Sequence, residues 1–237
     1  MNSWAGIINH NNKNTSMSNR DRFVLSKGHA AAALYAVLAE LNFFDKEQLN
    51  TYNKNNSKLL GHASHFVPGV EISSGSLGNG LGVGCGMALA AKIDKKEHQV
   101  YVMLSDGECN EGSIWEGALF ASHHKLDNLT IIIDYNKIQS YGSVSDVLKL
   151  EPFHKKWEAF GFDVLEIDGH NHEDIKQSLL KASNSKPKLI LAHTVKGKGV
   201  SFMENELVWH YKSPNEEQYK QALQELRSEL ELEENHA

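Results

Sequence analysis

Apolar runs rich in β-branched residues recur along this chain, each stopping abruptly at polar residues. They alternate with segments whose apolar positions fall at helical spacing. The clearest runs are Val100-Tyr-Val-Met-Leu-Ser-Asp106-Gly107-Glu108 and Leu129-Thr-Ile-Ile-Ile-Asp-Tyr-Asn136-Lys-Ile138. Such runs read as buried parallel strands whose carboxyl ends open on a crevice. Between them, residues 111–125 place Trp115, Leu119 and Phe120 at helical spacing. Strand, helix and strand make one βαβ unit, which sets Asp106 and Asn136 at neighbouring strand ends on one edge of the sheet.

The remaining pattern extends this unit. Residues 21–26 read as a short strand entering a turn, with Ser26 placed to cap an alanine- and leucine-rich helix over 30–41. A polar helix or loop covers 45–60, and 142–151 reads as a loop before a short helix at 152–160. A strand at 162–168, a helix at 171–183 and a strand at 188–194 follow, and a charged amphipathic helix closes the chain at about 215–232. Residues 1–20, rich in asparagine and without periodicity, read as an irregular lead-in. The alternation predicts an α/β fold, a parallel β-sheet flanked by helices on both faces.

The segment from Gly75 to Ala91 is the most biased. No register of its glycines gives a dinucleotide fingerprint, and no strong strand precedes it. It reads instead as a helix with small residues at every fourth position: Gly80, Gly84 and Ala88 on one stripe, Gly78, Gly82, Gly86 and Ala90 on the next. Glycine inside a helix costs about 1 kcal/mol against alanine. The stripes therefore predict the close approach of another backbone, expected to be a helix, and a packed subunit or domain interface.

Composition narrows the function. With 237 residues and no linker-like break, one domain over 1–237 is expected. A formal net charge of −6 lacks the basic footprint of a nucleic-acid binder. Cys85 and Cys109 make no disulfide framework, which points to a reducing, cytoplasmic compartment. No apolar run approaches membrane-spanning length.

Candidate chemistry gathers at the strand ends. Asp106 and Asn136 offer hard oxygen ligands suited to Mg²⁺ or Ca²⁺, although Asp-Gly after a strand also serves as an ordinary turn. Lys27 and His29 stand at a helix entrance, where cations oppose the helix dipole unless an anion joins them. His62 and His65 have no further zinc ligands nearby and suit a substrate-facing loop better. Lys196 follows another strand among glycines, and His210 lies beyond it. Asp106, Asn136, Lys196, His29, His62 and His210 together fit a diphosphate with a divalent metal, and histidines for proton transfer or sugar hydroxyls.

Ser105-Asp-Gly107 followed by Asn136 resembles the thiamine diphosphate signature, with serine in place of its first glycine. Leu25-Ser-Lys-Gly-His29, Gly75-Ser-Leu-Gly-Asn-Gly80, the stretch from Asp106 to Glu116, and Val195-Lys-Gly-Lys-Gly199 through Trp209-His210 resemble transketolase, in that family's order, from about Ile7 to the C-terminus. The resemblance implies a diphosphate-binding (PP-type) domain. Metal ligands would be Asp106, the Asn136 side chain and the Ile138 carbonyl. His29, Gly107, Glu108, Asn136, Lys196 and His210 would surround the cofactor, and Gly75, Ser76 and Leu77 would meet it through backbone. His29, His62 and His210 would face the reacting carbon and the sugar hydroxyls. Glu111 matches a carboxylate at the family's dimer interface, though a glutamate at a helix start is also favoured by the dipole.

The implied reaction moves a two-carbon ketol unit from a ketose phosphate to an aldose phosphate, with thiamine diphosphate as electron sink. The pyrimidine-binding and C-terminal domains are expected on a separate chain, in an α₂β₂ assembly active only as a complex. The chain stops where the family's second domain would begin, so it reads as the N-terminal subunit of a split transketolase, and its start lacks the family's Ser-Gly-His-Pro helix, so it reads as shortened there. Alternative expectations are a related enzyme using a 2-oxo acid or a specialised sugar, or a non-catalytic remnant.

Overall fold

The computed structural model describes residues 7–234. Along the chain run β1 (Arg22–Leu25), β2 (Val100–Ser105), β3 (Leu129–Tyr135), the pair β4 (Ile138–Gln139) and β5 (Gly142–Ser143), then β6 (Asp163–Asp168) and β7 (Lys188–His193). β4 and β5 form a small antiparallel hairpin, and the other strands make one parallel sheet in the order β1-β2-β3-β7-β6. The helices are α1 (Ala31–Glu40), α2 (Gly80–Ile93), α3 (Gly112–His123), α4 (Val144–Val147), α5 (Phe153–Ala159), α6 (His172–Leu180) and α7 (Glu216–Glu234). The predicted parallel sheet between helices is the observed fold.

The continuous apolar runs are explained by burial on both faces. Val100, Val102 and Leu104 of β2 and Leu129, Ile131 and Ile133 of β3 point into the core beneath α2, α3 and α5. Tyr101, Ile132 and Ile190 point to the opposite face, against Leu179 of α6. The first core is filled on one side by rings: Trp157, fully buried, lies 5.0 Å from Phe162 and 5.1 Å from Trp115 between centroids. Rings at these separations add about 0.5–1.5 kcal/mol per pair beyond their buried area.

Several local expectations are corrected. Ser26 does not cap the following helix; α1 begins without a side-chain cap, through a short 3-10 turn at Gly28–Ala30. The stretch 142–151, expected as loop, holds β5 and the single-turn α4, started by Ser143, whose hydroxyl accepts from the Asp146 amide. Helix α6 ends at Leu180, short of 183. There the buried Lys188 ammonium donates to the carbonyls of Ser178 (2.9 Å), Leu179 (3.0 Å) and Lys181 (2.8 Å), so the side chain itself terminates the helix. The lead-in at 7–20 is irregular as expected and pinned down: Asn9 and Asp21 exchange hydrogen bonds of 2.8 Å. Residues 1–6 of that expectation lie outside the described residues.

The buried glycine stripe of α2 faces the sheet, while the neighbouring α3 packs beside it through Gly117 and Leu81. A β-carbon at Gly84 would collide with the Val102 side chain of β2, and one at Gly80 with Ser26 at the end of β1. Alanine or anything larger would lift α2 off the strands. The second stripe behaves differently: Gly82 and Gly86 are exposed, with nothing within 4 Å of the positions where their β-carbons would stand.

Candidate functional site

The carboxyl edge of the sheet collects its polar residues because all five parallel strands end there. Ser105 of β2 pairs with Asp134 of β3, which brings Asp106 alongside the chain that leaves β3 toward Asn136. Asp106 is 1% exposed, and its carboxylate accepts from the backbone amides of Gly107 (2.6 Å) and Lys137 (2.7 Å). Burial pushes the Asp106 carboxyl up to about 6 against those two hydrogen bonds. The Asn136 amide oxygen accepts from Ile138 N–H at 3.0 Å, which folds the chain back and places the Ile138 carbonyl in the same turn.

A cationic group faces this pair. The Lys27 ammonium, buried at the end of β1, donates to Asp134 at 2.5 Å, and the Thr194 hydroxyl donates to the other Asp134 oxygen. Burial raises the Asp134 carboxyl, but Lys27 and Thr194 outweigh it and hold it below the ordinary carboxylate range. Lys196 donates to His210 Nδ1 at 3.1 Å, and His210 Nε2 meets the Ser140 hydroxyl at 3.2 Å. The rings of His29 and His210 lie 5.7 Å apart. The surrounding protein first, then the ammonium groups, lower both imidazoles, so His29 and His210 are neutral at pH 7. Lys196 is likewise lowered, by burial and then by Lys27. Lys27, His29, Asp134, Asn136, Thr194 and Lys196 border a cleft of about 490 Å³, floored by Met103, Ile132 and Ile190.

The remaining predicted residues divide. His62 is exposed and its ring abuts Gly75, where a β-carbon would stand 3.3 Å from His62 Cδ2. Gly75 and Ser76 are open to solvent and Leu77 is half-buried, so backbone is presented there. Glu108 is turned away from the edge: wholly buried, its carboxylate accepts from Ser26 Oγ, Gly78 N–H (2.9 Å) and Ser105 N–H (3.3 Å). Its side chain is therefore spent inside the fold, which corrects the expectation that it lines the diphosphate. Glu111 is exposed at the start of α3 and makes no cap hydrogen bond. His65 bonds the Ser73 hydroxyl at 2.7 Å and stands apart from the edge group.

Asp134, Thr194 and Ser140 were not singled out from the sequence. The signal for Asp134 was available, since a carboxylate inside an apolar strand must find a partner. Its partner, Lys27, is remote in sequence and only the fold supplies it.

Among the described residues no three His, Cys, Asp or Glu side chains converge as metal ligands. The edge instead offers one carboxylate, one carboxamide and one carbonyl. That composition fits a hard cation that completes its shell with water and phosphate oxygens. The nearby ammonium and neutral imidazole groups fit a diphosphate.

Comparison with known proteins gives the family. The family model described as transketolase, thiamine diphosphate binding domain, matches residues 2–232. The chain is 46% identical over 214 residues to an apulose-4-phosphate transketolase subunit of Phocaeicola vulgatus, spanning 90% of this chain and 76% of that one. It is 43% identical over 213 residues to the 6-deoxy-6-sulfo-D-fructose transketolase subunit SqwG of a Clostridium species, spanning 89% and 78% respectively. The crystal structure of Campylobacter jejuni transketolase superposes with a TM-score of 0.89 at 36% identity, covering 94% of this chain but 37% of that longer one.

Proposed function

The chain belongs to the transketolase family, carrying its thiamine diphosphate binding domain, and from this premise we propose that it is the diphosphate- and Mg²⁺-binding subunit of a split transketolase. The observation that carries this reading is the pairing of Asp106 with the Asn136 turn, on the same edge as Lys27, His29, Lys196 and His210. Asp106, Asn136 and the Ile138 carbonyl would hold the metal. Gly107, His29, Lys196 and His210 would receive the diphosphate, and Gly75, Ser76 and Leu77 would lie against the cofactor.

Bound there, thiamine diphosphate supplies an electron sink for cleaving the bond between the two carbons of a ketol unit and the rest of a ketose. This chain's residues do the positioning. Lys196 holds His210 through Nδ1 while Ser140 meets Nε2, which fixes the ring at the mouth of the site. Neutral His29 and His210 can accept or return a proton at a sugar hydroxyl, and His62 borders the same opening. Lys27 neutralises Asp134, so that carboxylate does not repel an incoming diphosphate.

Relatives that are themselves named as transketolase subunits support a partner, which we take to be a chain carrying the pyrimidine-binding domain in an α₂β₂ complex, with Glu111 at the contact. This chain is then a single domain and the remaining ones lie on the partner. Those relatives' names also favour a specialised ketose, phosphorylated or sulfonated, as donor over a 2-oxo acid. Among the described residues no helix is long and apolar enough to cross a membrane, and the buried free cysteines suit the cytoplasm. The test is calorimetric titration of thiamine diphosphate with Mg²⁺ into the chain alone and with a candidate partner, followed by ketol transfer from ketose phosphates. Binding that appears or tightens in the mixture supports the reading; binding in neither sample refutes it.

A further inference from the structure

We propose that Ser26 and Glu108 form a buried clamp that sets the conformation of the Gly75–Leu77 backbone, making Glu108 a positioning residue rather than a cofactor contact. This deepens the reading above and rests on it for its functional consequence. The clamp sits under the start of α2, whose N-cap, Asn79, makes no side-chain cap hydrogen bond. A 14-residue helix leaves several N–H groups free at its start, and here Gly80 and Leu81 among the first residues are buried. The Gly80 amide donates to Ser26 Oγ at 3.1 Å, Ser26 Oγ donates to the Glu108 carboxylate, and the Gly78 amide donates to the same carboxylate oxygen at 2.9 Å. A hydroxyl and a carboxylate from two neighbouring strand ends thus cap a helix that comes from elsewhere in the chain.

The fit leaves no slack. Gly78 has a φ of +87°, a conformation costly for any other residue, and a β-carbon there would press on Ser113 and Glu111 of the next helix start. Its carbonyl accepts from Ser113 Oγ at 2.9 Å. On the other side of the loop, Ser74 Oγ donates to the Leu25 carbonyl at 2.6 Å and Ser74 N–H to the Ala63 carbonyl at 3.0 Å. Gly75, Ser76 and Leu77 therefore hang between two fixed posts, one on Ser26 and Glu108 and the other on Leu25 and Ala63. Ser26 adjoins Lys27 and Glu108 lies two residues past Asp106, so the first post is tied to the edge that would take the metal and diphosphate. The loop itself faces His62, on the substrate side. An anionic side chain beside a diphosphate would repel it; beneath a helix N-terminus the same charge is favoured.

Hydrogen exchange and calorimetry on the full chain test this, with thiamine diphosphate and inorganic pyrophosphate as probes, each with Mg²⁺. Pyrophosphate needs only the edge; the thiamine portion also needs the loop. Ser26→Ala removes one hydroxyl and leaves the core filled. It is expected to speed amide exchange at 75–80 and weaken thiamine diphosphate about tenfold, with pyrophosphate changed less than about twofold. Glu108→Gln keeps the shared oxygen acceptor and should weaken the cofactor by less than about threefold. Equal losses for both probes, or unchanged exchange at 75–80 in Ser26→Ala, would overturn the clamp. Faster exchange there, with no cofactor binding by the unmodified chain either alone or mixed with its partner, would uphold the clamp and overturn the cofactor reading.

Discussion

Replacing Asp106 by asparagine tests the metal assignment without ligand and then with it. In the metal-free chain Asp106 carries a buried charge whose carboxyl is raised from 3.8 to about 6, which corresponds to about 3 kcal/mol against the ionised form. Because the folded value exceeds the unfolded one, this contribution is fully present below about 3.8 and is lost as pH rises through about 6. Linkage gives a gain, relative to pH 7.5, of about 1 kcal/mol at pH 5.5 and about 2 kcal/mol at pH 4.5. For a domain of this size those are shifts in Tm of roughly 2–4 and 4–8 °C. Other carboxylates pull the opposite way in acid, so the readout is the difference between wild type and Asp106→Asn, melted in chelator from pH 7.5 to 4.5. At pH 7.5 the variant should stay within about 2 kcal/mol of wild type, since removing the charge offsets the loss of one amide acceptor. Adding Mg²⁺ and thiamine diphosphate should then raise the Tm of wild type alone. Parallel pH curves would refute the unpaired buried charge, and an equal ligand-induced rise in both proteins would refute Asp106 as metal ligand.

Lys27→Met should cost about 3 kcal/mol in urea unfolding by stranding Asp134, and adding Asp134→Asn should restore much of it; additive costs would deny the pairing. Gly84→Ala should destabilise by about 1–3 kcal/mol through its collision with Val102. Gly82→Ala, facing open space, should instead stabilise the isolated chain by up to about 1 kcal/mol, and a matching loss would show that α2 is seated differently. Lys188→Met should cost about 1–3 kcal/mol by orphaning the carbonyls that end α6, seen as lower Tm with faster exchange in residues 178–188.

The strands and most helices were legible because burial on both faces writes itself as unbroken apolar runs, and Asp106 and Asn136 were placed by that pattern alone. Side chains whose partners lie far along the chain were not. Ser26 precedes one helix and looks like its cap, yet it serves another helix that folding brings beside it. Glu108 lies two residues past Asp106 and reads as a cofactor contact, but the 3-10 turn at Gly107–Asn110 carries it inward. The glycine stripe announced a close approach without saying to what, since a strand and a helix make the same demand for small residues. Lys188 looked like a strand residue until the helix end it closes was in view.

An open parallel sheet leaves two margins where a further strand can add, and here both are unwelcoming. β1 is four residues long and is followed outward by the pinned lead-in, with Arg20 paired to Glu71 and Arg22 close by. At the opposite margin β6 carries Asp163, Glu166 and Asp168 in six residues, and Glu166 is held by His154 at 2.7 Å and His193 at 2.8 Å. A strand docking on either side would have to strip water from these charges. The fold thereby discourages edge-to-edge polymerisation, so a copy newly made and not yet assembled is guarded against joining its own kind into fibrils.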